Sequence, residues 1–457
     1  MRATADGKTE HREPYVQLVD VTRDSALVAW GHFDLVGDEH GWRSESVPET
    51  IGMRAPALGH AVVEVLDDDD RVVAREATDD ANHLWVGELR PATTYRYRVL
   101  VDGEPWGGGE RYDWSPDGLR PASRAPGLML RTHPEADRPD PITFLAVGDF
   151  GVGLNSPNGP HQLGVARTMQ RLADAYDVRC IVGLGDTIYH GPGGPDDHSG
   201  ADDDDWWLAF FQPYRYLLDH LPFYPTAGNH DGADEEAADD RAQLEDNLYL
   251  SARFRPRAEV GRASLDPGLF YRLELGSLLE LICIDSTQAD DAPGRAFDDP
   301  RHHQWIEEAL TTGDARWRIP FSHHPVWCAG PDHSGMQEQV DRLVPLYRKG
   351  GVRLLLHGHE HNFQHGQVDG LDHIITGAGG KVDHRTPVAF EEAGTCSWAA
   401  EPHCLLIQVA EDHLTVVPFG ATPPGGQPQP LVRQDRSGAP VDGPITLHWD
   451  HPGDHLV

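Results

Sequence analysis

An all-β module followed by a larger α/β domain is the architecture this sequence predicts, and three observations carry the prediction. Residues 14–132 hold only short β-rich runs separated by turn residues. From Pro141 onward, apolar strands alternate with helical stretches. Nearly every cluster of Asp, Asn and His then stands directly after an apolar strand. A chain of 457 residues has room for two or three such units.

The elements follow in order. Residues 1–13 are polar and read as a disordered tail. Within 14–132, 25–30 and 61–66 are β-rich runs. Tyr95, Tyr97, Val99 and Val101 alternate with Arg96, Arg98 and Leu100, the period of a half-buried strand. Several such strands without helical periodicity predict a β-sandwich. The stretch 89–95, Leu-Arg-Pro-Ala-Thr-Thr-Tyr, resembles the strand-entry corner of fibronectin type III modules, where a tyrosine anchors the sandwich. Residues 133–140 read as a linker. Strands are then expected at 142–147 and 180–184, with a helix between them at 163–176 that lines up Leu163, Met169, Leu172, Ala173 and Tyr176. Further strands are expected at 269–275, 278–284, 317–322, 353–356 and 373–376, and two more β runs within 404–418. The second domain spans 141–419, and the Pro/Gly-rich residues 420–457 read as an extension packed on the surface.

Composition narrows the function. The formal charge is −36, with only three lysines, Lys8, Lys349 and Lys381. A surface that tracks nucleic-acid phosphates needs clustered Lys and Arg, so binding to a nucleic-acid duplex is not expected. No apolar run is long enough to span a bilayer. The polar start of the chain has no apolar leader, so a cytoplasmic location is the default, with secretion open if a precursor was trimmed. Five scattered cysteines without CxxC spacing predict free thiols.

Five blocks carry the chemistry: 148–151 (Gly-Asp-Phe-Gly), 185–189 (Gly-Asp-Thr-Ile-Tyr), 228–231 (Gly-Asn-His-Asp), 322–325 (Ser-His-His-Pro) and 358–361 (Gly-His-Glu-His). Each follows an apolar segment. A lone aspartate there would cap a turn. Two Asp, one Tyr, one Asn and several His in ordered blocks make instead the donor mix for two cations such as iron, manganese or zinc. A carboxylate shared by two such cations suits phosphoryl transfer. His324 and His357 stand beside these blocks as second donors. The acidic run 202–205 reads as a solvated loop or helix start ahead of an apolar face formed by Trp206, Trp207, Phe210 and Phe211, with calcium binding as a lesser alternative.

In this order the blocks resemble the calcineurin-like metallophosphoesterases, and the Gly-Asp-x-x-Tyr form of the second resembles the purple acid phosphatase branch. The resemblance covers about 141–418 and implies a four-layered α/β/β/α catalytic domain. It also implies that Asp149, Tyr189, His361 and Asp186 hold a first metal, iron, and that Asn229, His323, His359 and the shared Asp186 hold a second, iron, manganese or zinc. His230 would stand at the leaving-group oxygen with Asp231 orienting it, and His333 would be a further histidine near substrate. The implied reaction is hydrolysis of a phosphate monoester on a small substrate by metal-bound hydroxide. A phosphodiesterase acting on nucleotides or lipid head groups is the alternative, and a binding module with a silent site is the alternative of another class. Loops at 190–205, 231–260 and 286–300 are expected to set the substrate.

Overall fold

In the computed structural model, the structure describes residues 1–3, 8–38, 41–46, 50–107, 111–189, 206–231, 238–253, 270–287 and 300–449. The acidic run 202–205 and most of the three loops expected to choose the substrate lie outside these residues.

The amino-terminal region is two facing antiparallel sheets. One orders strands Arg2–Ala3, Thr9–Val21, Ala26–Asp38 and Gly41–Ser44, with His83–Val86 added on Ala26–Asp38. The other orders Met129–Arg131, Thr94–Val101, Ala61–Leu66 and Val72–Thr78, with Glu104–Pro105 added on Thr94–Val101. Leu18, Val28 and Trp30 from the first sheet meet Val63, Tyr97 and Val99 from the second in one apolar cluster. Alternation produces this packing, because Thr94–Val101 turns Tyr95, Tyr97, Val99 and Val101 inward and its arginines outward. The Tyr95 hydroxyl accepts the Arg90 amide at 3.0 Å and closes the corner between them.

The expected tail at 1–13 is corrected here. Thr9–Val21 is one continuous strand, and its Glu13 is buried against Arg215 at 2.6 Å. A polar segment is ordered because its carboxylate meets a buried guanidinium from the other half of the chain, a pairing that no local pattern shows.

The second region holds two larger sheets. The six-stranded sheet runs Phe223–Thr226, Val178–Leu184, Ile142–Val147, His403–Val409, His413–Gly420, Ile445–His448. The nine-stranded sheet runs Tyr271–Leu275, Leu279–Cys283, Trp317–Phe321, Leu354–His357, Leu371–Thr376, Phe363–Val368, Thr395–Ala399, Arg433–Gln434, Pro440–Val441. The strands between the layers are apolar on both faces, as burial on both sides requires. Phe144, Val182, Leu281, Ile319 and Leu356 fill the space between the sheets. Leu145 and Val147 face the other way, onto the cluster that holds Val165, Met169 and Leu172 of helix Gly159–Ala175. Ile282 and Leu355 similarly share that outer cluster with Ile306 and Leu310 of helix Pro300–Thr311. Helices thus cover the outer face of each sheet.

Two further expectations change. The carboxy-terminal extension is woven into the sheets: Ile445–His448 pairs with His413–Gly420, and Arg433–Gln434 with Trp398. Trp206, Trp207, Phe210 and Phe211 do not form one face of an amphipathic helix. They lie in or beside a π-helical turn, Trp207–Phe211, all of whose residues are buried. The amino-terminal sheet covers the side that would otherwise meet water, with Tyr15 and Phe33 packed on Phe211 at 4.7 and 5.0 Å between ring centres. Every cysteine is a free thiol. Among the described residues, no helix is long and apolar enough to cross a membrane.

Candidate metal centre

Six strands from the two sheets end at one place, and the residues just beyond them build the centre. Asp149 follows Ile142–Val147, Asp186 and Tyr189 follow Val178–Leu184, and Asn229 follows Phe223–Thr226. From the other sheet, His323 follows Trp317–Phe321, His359 and His361 follow Leu354–His357, and Lys381 follows Leu371–Thr376. Strand ends along one edge of layered sheets leave the backbone free to turn toward a common point. The turns are sharp: Asp149, Asp186 and His359 have φ of 56°, 48° and 71°, a left-handed conformation uncommon for residues with a side chain. Glycine makes the approach possible. A Cβ on Gly228 would stand 2.2 Å from Asp186 Oδ1, and one on Gly185 would stand 2.3 Å from His323 Nδ1.

The structure brings all seven residues expected as metal ligands together in two groups. In the first, the Tyr189 hydroxyl is 3.2 Å from Asp149 Oδ1 and 3.3 Å from His361 Nε2, and His361 Nε2 is 3.6 Å from Asp149 Oδ1. In the second, His323 Nε2 and His359 Nδ1 are 3.0 and 3.1 Å from Asn229 Oδ1 and 3.2 Å from each other. Asp186 Oδ1 stands 3.4 Å from His323 Nε2 and also accepts the His230 amide at 3.0 Å.

The proton inventory shows what this arrangement lacks. His323 Nδ1 donates to the Leu184 carbonyl at 2.8 Å, so Nε2 presents a lone pair. That lone pair points at the Asn229 carbonyl oxygen, a second acceptor. Burial holds His323 neutral, its pKa pushed down to about 4. Burial, and then the Lys381 ammonium, hold His361 neutral as well, at about 3. His359 is depressed further, by burial and by the histidines around it. Burial, and then the charge of Asp186, push Asp149 upward, while burial and then the charges of Asp149 and Asp186 push Tyr189 upward, so those two groups resist ionising without a nearby cation. Asp186 is held low by His323, His230 and the His230 amide against the opposing effect of its own burial. Clustered neutral imidazoles and an amide oxygen, joined to buried carboxylates, are the donor chemistry that a pair of cations satisfies.

The other expected site residues take distinct places. His230 is half-buried, its ring 4.6 Å from that of Tyr189. His333 is half-buried too, with ring centres 3.8 Å from His359 and 5.7 Å from His361. Asp231 differs from its expected role of orienting the His230 side chain. Its carboxylate accepts the amides of Thr187 (3.0 Å), Ile188 (3.2 Å) and Gly228 (2.9 Å), and so ties the Asp186 turn to the Asn229 turn. Burial and the Asp186 charge push its pKa up to about 7. Of the two neighbouring histidines, His324 packs 4.4 Å from the His359 ring and bonds Ser286 at 2.9 Å, within reach of the second group. His357 sits behind the centre, bonded to Ser322 at 3.0 Å.

Two residues escaped the sequence reading. Glu360 is fully buried, accepts the His333 amide at 2.8 Å and stands 3.4 Å from His333 Nδ1. Lys381 places its ammonium 4.6 Å from the centre of the Tyr189 ring. Glu360 lies inside one of the five blocks, and Lys381 directly follows Gly379-Gly380 beyond a strand, so the rule that located the other residues points to both.

Comparison with known proteins agrees with this geometry. Residues 142–363 match the calcineurin-like phosphoesterase family. Tartrate-resistant acid phosphatase type 5 of Oryctolagus cuniculus is 26% identical over 250 residues, covering 54% of this chain and 75% of that one. Purple acid phosphatase 4 of Arabidopsis thaliana is 28% identical over 270 residues, covering 53% and 70%. The fold extends further than the sequence similarity. The structure of PhoD superposes with a TM-score of 0.61 over 94% of this chain and 91% of its own, at 14% identity. Purple acid phosphatase PPD1 from yellow lupin (Lupinus luteus) gives 0.58 over 96% and 74%, also at 14%. Residues 142–363 thus form a calcineurin-like phosphoesterase domain that carries this centre, and the chain is a metal-dependent phosphoesterase.

Proposed function

We propose that the protein hydrolyses phosphate monoesters of small molecules at a centre of two cations, in the manner of the acid phosphatases it resembles. The observation that carries the reading is the convergence of His323 Nε2, His359 Nδ1 and Asn229 Oδ1 within 3.2 Å of one another, beside a buried carboxylate pair. Asp149, Tyr189, His361 and Asp186 hold the first cation in this reading, and Asp186, Asn229, His323 and His359 hold the second. The phenolate donor suits iron at the first position. Bound there, such ions lower the pKa of a coordinated water and offset phosphoryl charge.

The chain's own residues do the rest. The Leu184 carbonyl fixes the His323 tautomer, which aims Nε2 inward. Asp231 holds two ligand turns in register through three amides. Asp149, Asp186, Tyr189, His323, His359 and His361 are buried, whereas Asn229, His230, His333 and Lys381 are half-buried and form the rim where substrate arrives. His230 is the rim group suited to give a proton to the departing alkoxide or phenoxide. Glu360 holds His333 against the His359 ring, as a positioning residue. A silent binding module is the weaker reading, since all seven positions carry competent donors.

The test is hydrolysis of an aryl phosphate monoester and the matching diester after loading with iron, manganese or zinc, with Asp186→Asn as control. Metal-dependent turnover favouring the monoester and lost in the control is expected. Preference for the diester would replace the phosphatase reading with a phosphodiesterase one, and a chain that takes up no metal would end both.

A further inference from the structure

Among the described residues, the rim carries a cation without a carboxylate partner, Lys381. Of the three lysines, Lys349 pairs with Glu307 at 2.7 Å and Lys8 with Glu45 at 3.9 Å. Lys381 has no carboxylate within ion-pair distance among the described residues, and its contact is the face of the Tyr189 ring. The carboxylate nearest to it along the chain is already engaged: Arg385 pairs with Asp383, and with Asp332 as well. In a chain of net charge −36, an ammonium without a carboxylate partner among the described residues, set beside a cluster of metal-type donors, is an exception with a place to act.

Its position is held from the backbone. The Lys381 amide donates to the Asp149 carbonyl at 3.1 Å, as does the Gly380 amide at 2.9 Å, so the lysine is anchored to the turn that presents Asp149. The ring it covers has its hydroxyl end on Asp149 and His361, which sets the ammonium beside the proposed first cation and at the half-exposed mouth. A long flexible stem with a compact charge reaches an incoming oxygen from there without moving the backbone.

We propose that Lys381 is a specificity-determining residue that selects doubly charged phosphate, its ammonium binding a phosphoryl oxygen of a monoester or of free phosphate. This deepens the reading of the centre as a phosphomonoesterase and rests on it. A monoester near neutral pH carries two negative charges and a diester one, so a third cation at the mouth favours the monoester. Free phosphate, the product, offers the same oxygens.

The test uses the metal-loaded full chain and compares Lys381→Met and Lys381→Arg with the unaltered protein. Calorimetric titration reads binding of inorganic phosphate against dimethyl phosphate, and kinetics read an aryl monoester against its diester. In Lys381→Met, the phosphate Kd and the monoester KM should each rise about tenfold, with the diester changed less than about threefold. Lys381→Arg should recover most of both. Equal losses on the two esters, or an unchanged phosphate Kd at full metal content, would overturn the proposal. So would loss of metal in Lys381→Met, because the lysine would then serve to hold the Tyr189 ring. If the unaltered protein hydrolyses neither ester, the phosphatase reading fails, and the phosphate titration still decides the role of Lys381.

Discussion

The two halves of the proposed centre differ in charge, with Asp186 within reach of both. Asp149 and Tyr189 are acids that burial drives toward their neutral forms, whereas Asn229, His323 and His359 are neutral donors with lone pairs already available. An acidic half releases protons when it takes a cation, so it gains most from an ion of high charge. A neutral half releases none and accepts a softer divalent ion. In the proposed reading the buried site offers two unequal positions, and Asp186, held low by the histidines and the amide around it against its own burial, is the link between them.

Breaking the link should have the largest effect. Asp186→Asn is expected to lower turnover of an aryl monoester by at least about a thousandfold and to weaken both cations, read as metal content per chain. Separating the halves comes next. Tyr189→Phe should lower affinity about tenfold or more at one position, and Asn229→Ala at the other. If iron fills the first position, a visible absorption band should vanish in Tyr189→Phe and persist in Asn229→Ala. A band unaffected by the loss of Tyr189 would refute the assignment of the halves.

Acid should act on the halves with opposite sign in the metal-free protein. His323 is fully buried with its pKa lowered from 6.5 to about 4. Below pH 6.5 the unfolded chain binds a proton that the buried ring refuses, so this contribution, on the order of 3 kcal/mol, is present above pH 6.5 and lost down to about pH 4. The folded pKa of Asp149 is raised instead, so its contribution is full below the unfolded value and is lost as pH rises. Denaturation between pH 7 and 4 should therefore show a shallower loss of stability in His323→Gln and a steeper one in Asp149→Asn. Parallel slopes would show that the halves are not distinct. The smallest effect is expected from His333→Ala: a change in the acid limb of the pH–rate profile, with metal content unaltered.

Much of this centre is legible in the sequence because its residues are local in a particular sense. Each expected ligand lies within a few positions of the end of an apolar strand, and an apolar run followed by glycine and a polar residue is visible without any tertiary information. The strands of the β module are legible for the same reason, since Thr94–Val101 alternates as a half-buried strand must. The failures share the opposite property. Glu13 looks like part of a polar tail until Arg215 is brought against it. The aromatic run 206–211 looks amphipathic until a second sheet covers its outer side. Asp231 looks like a partner for His230 until three amides from two turns converge on it.

By itself, then, the amino-acid sequence determined the chemical types of the donors, their order, and the strands that carry them, because these depend on periodicity and on neighbours along the chain. The tertiary structure decided how closely the donors of the two sheets meet, and it set Lys381 over the Tyr189 ring without a carboxylate partner among the described residues. Those outcomes depend on distances between strand ends from two different sheets, and such distances arise only when the sheets pack face to face.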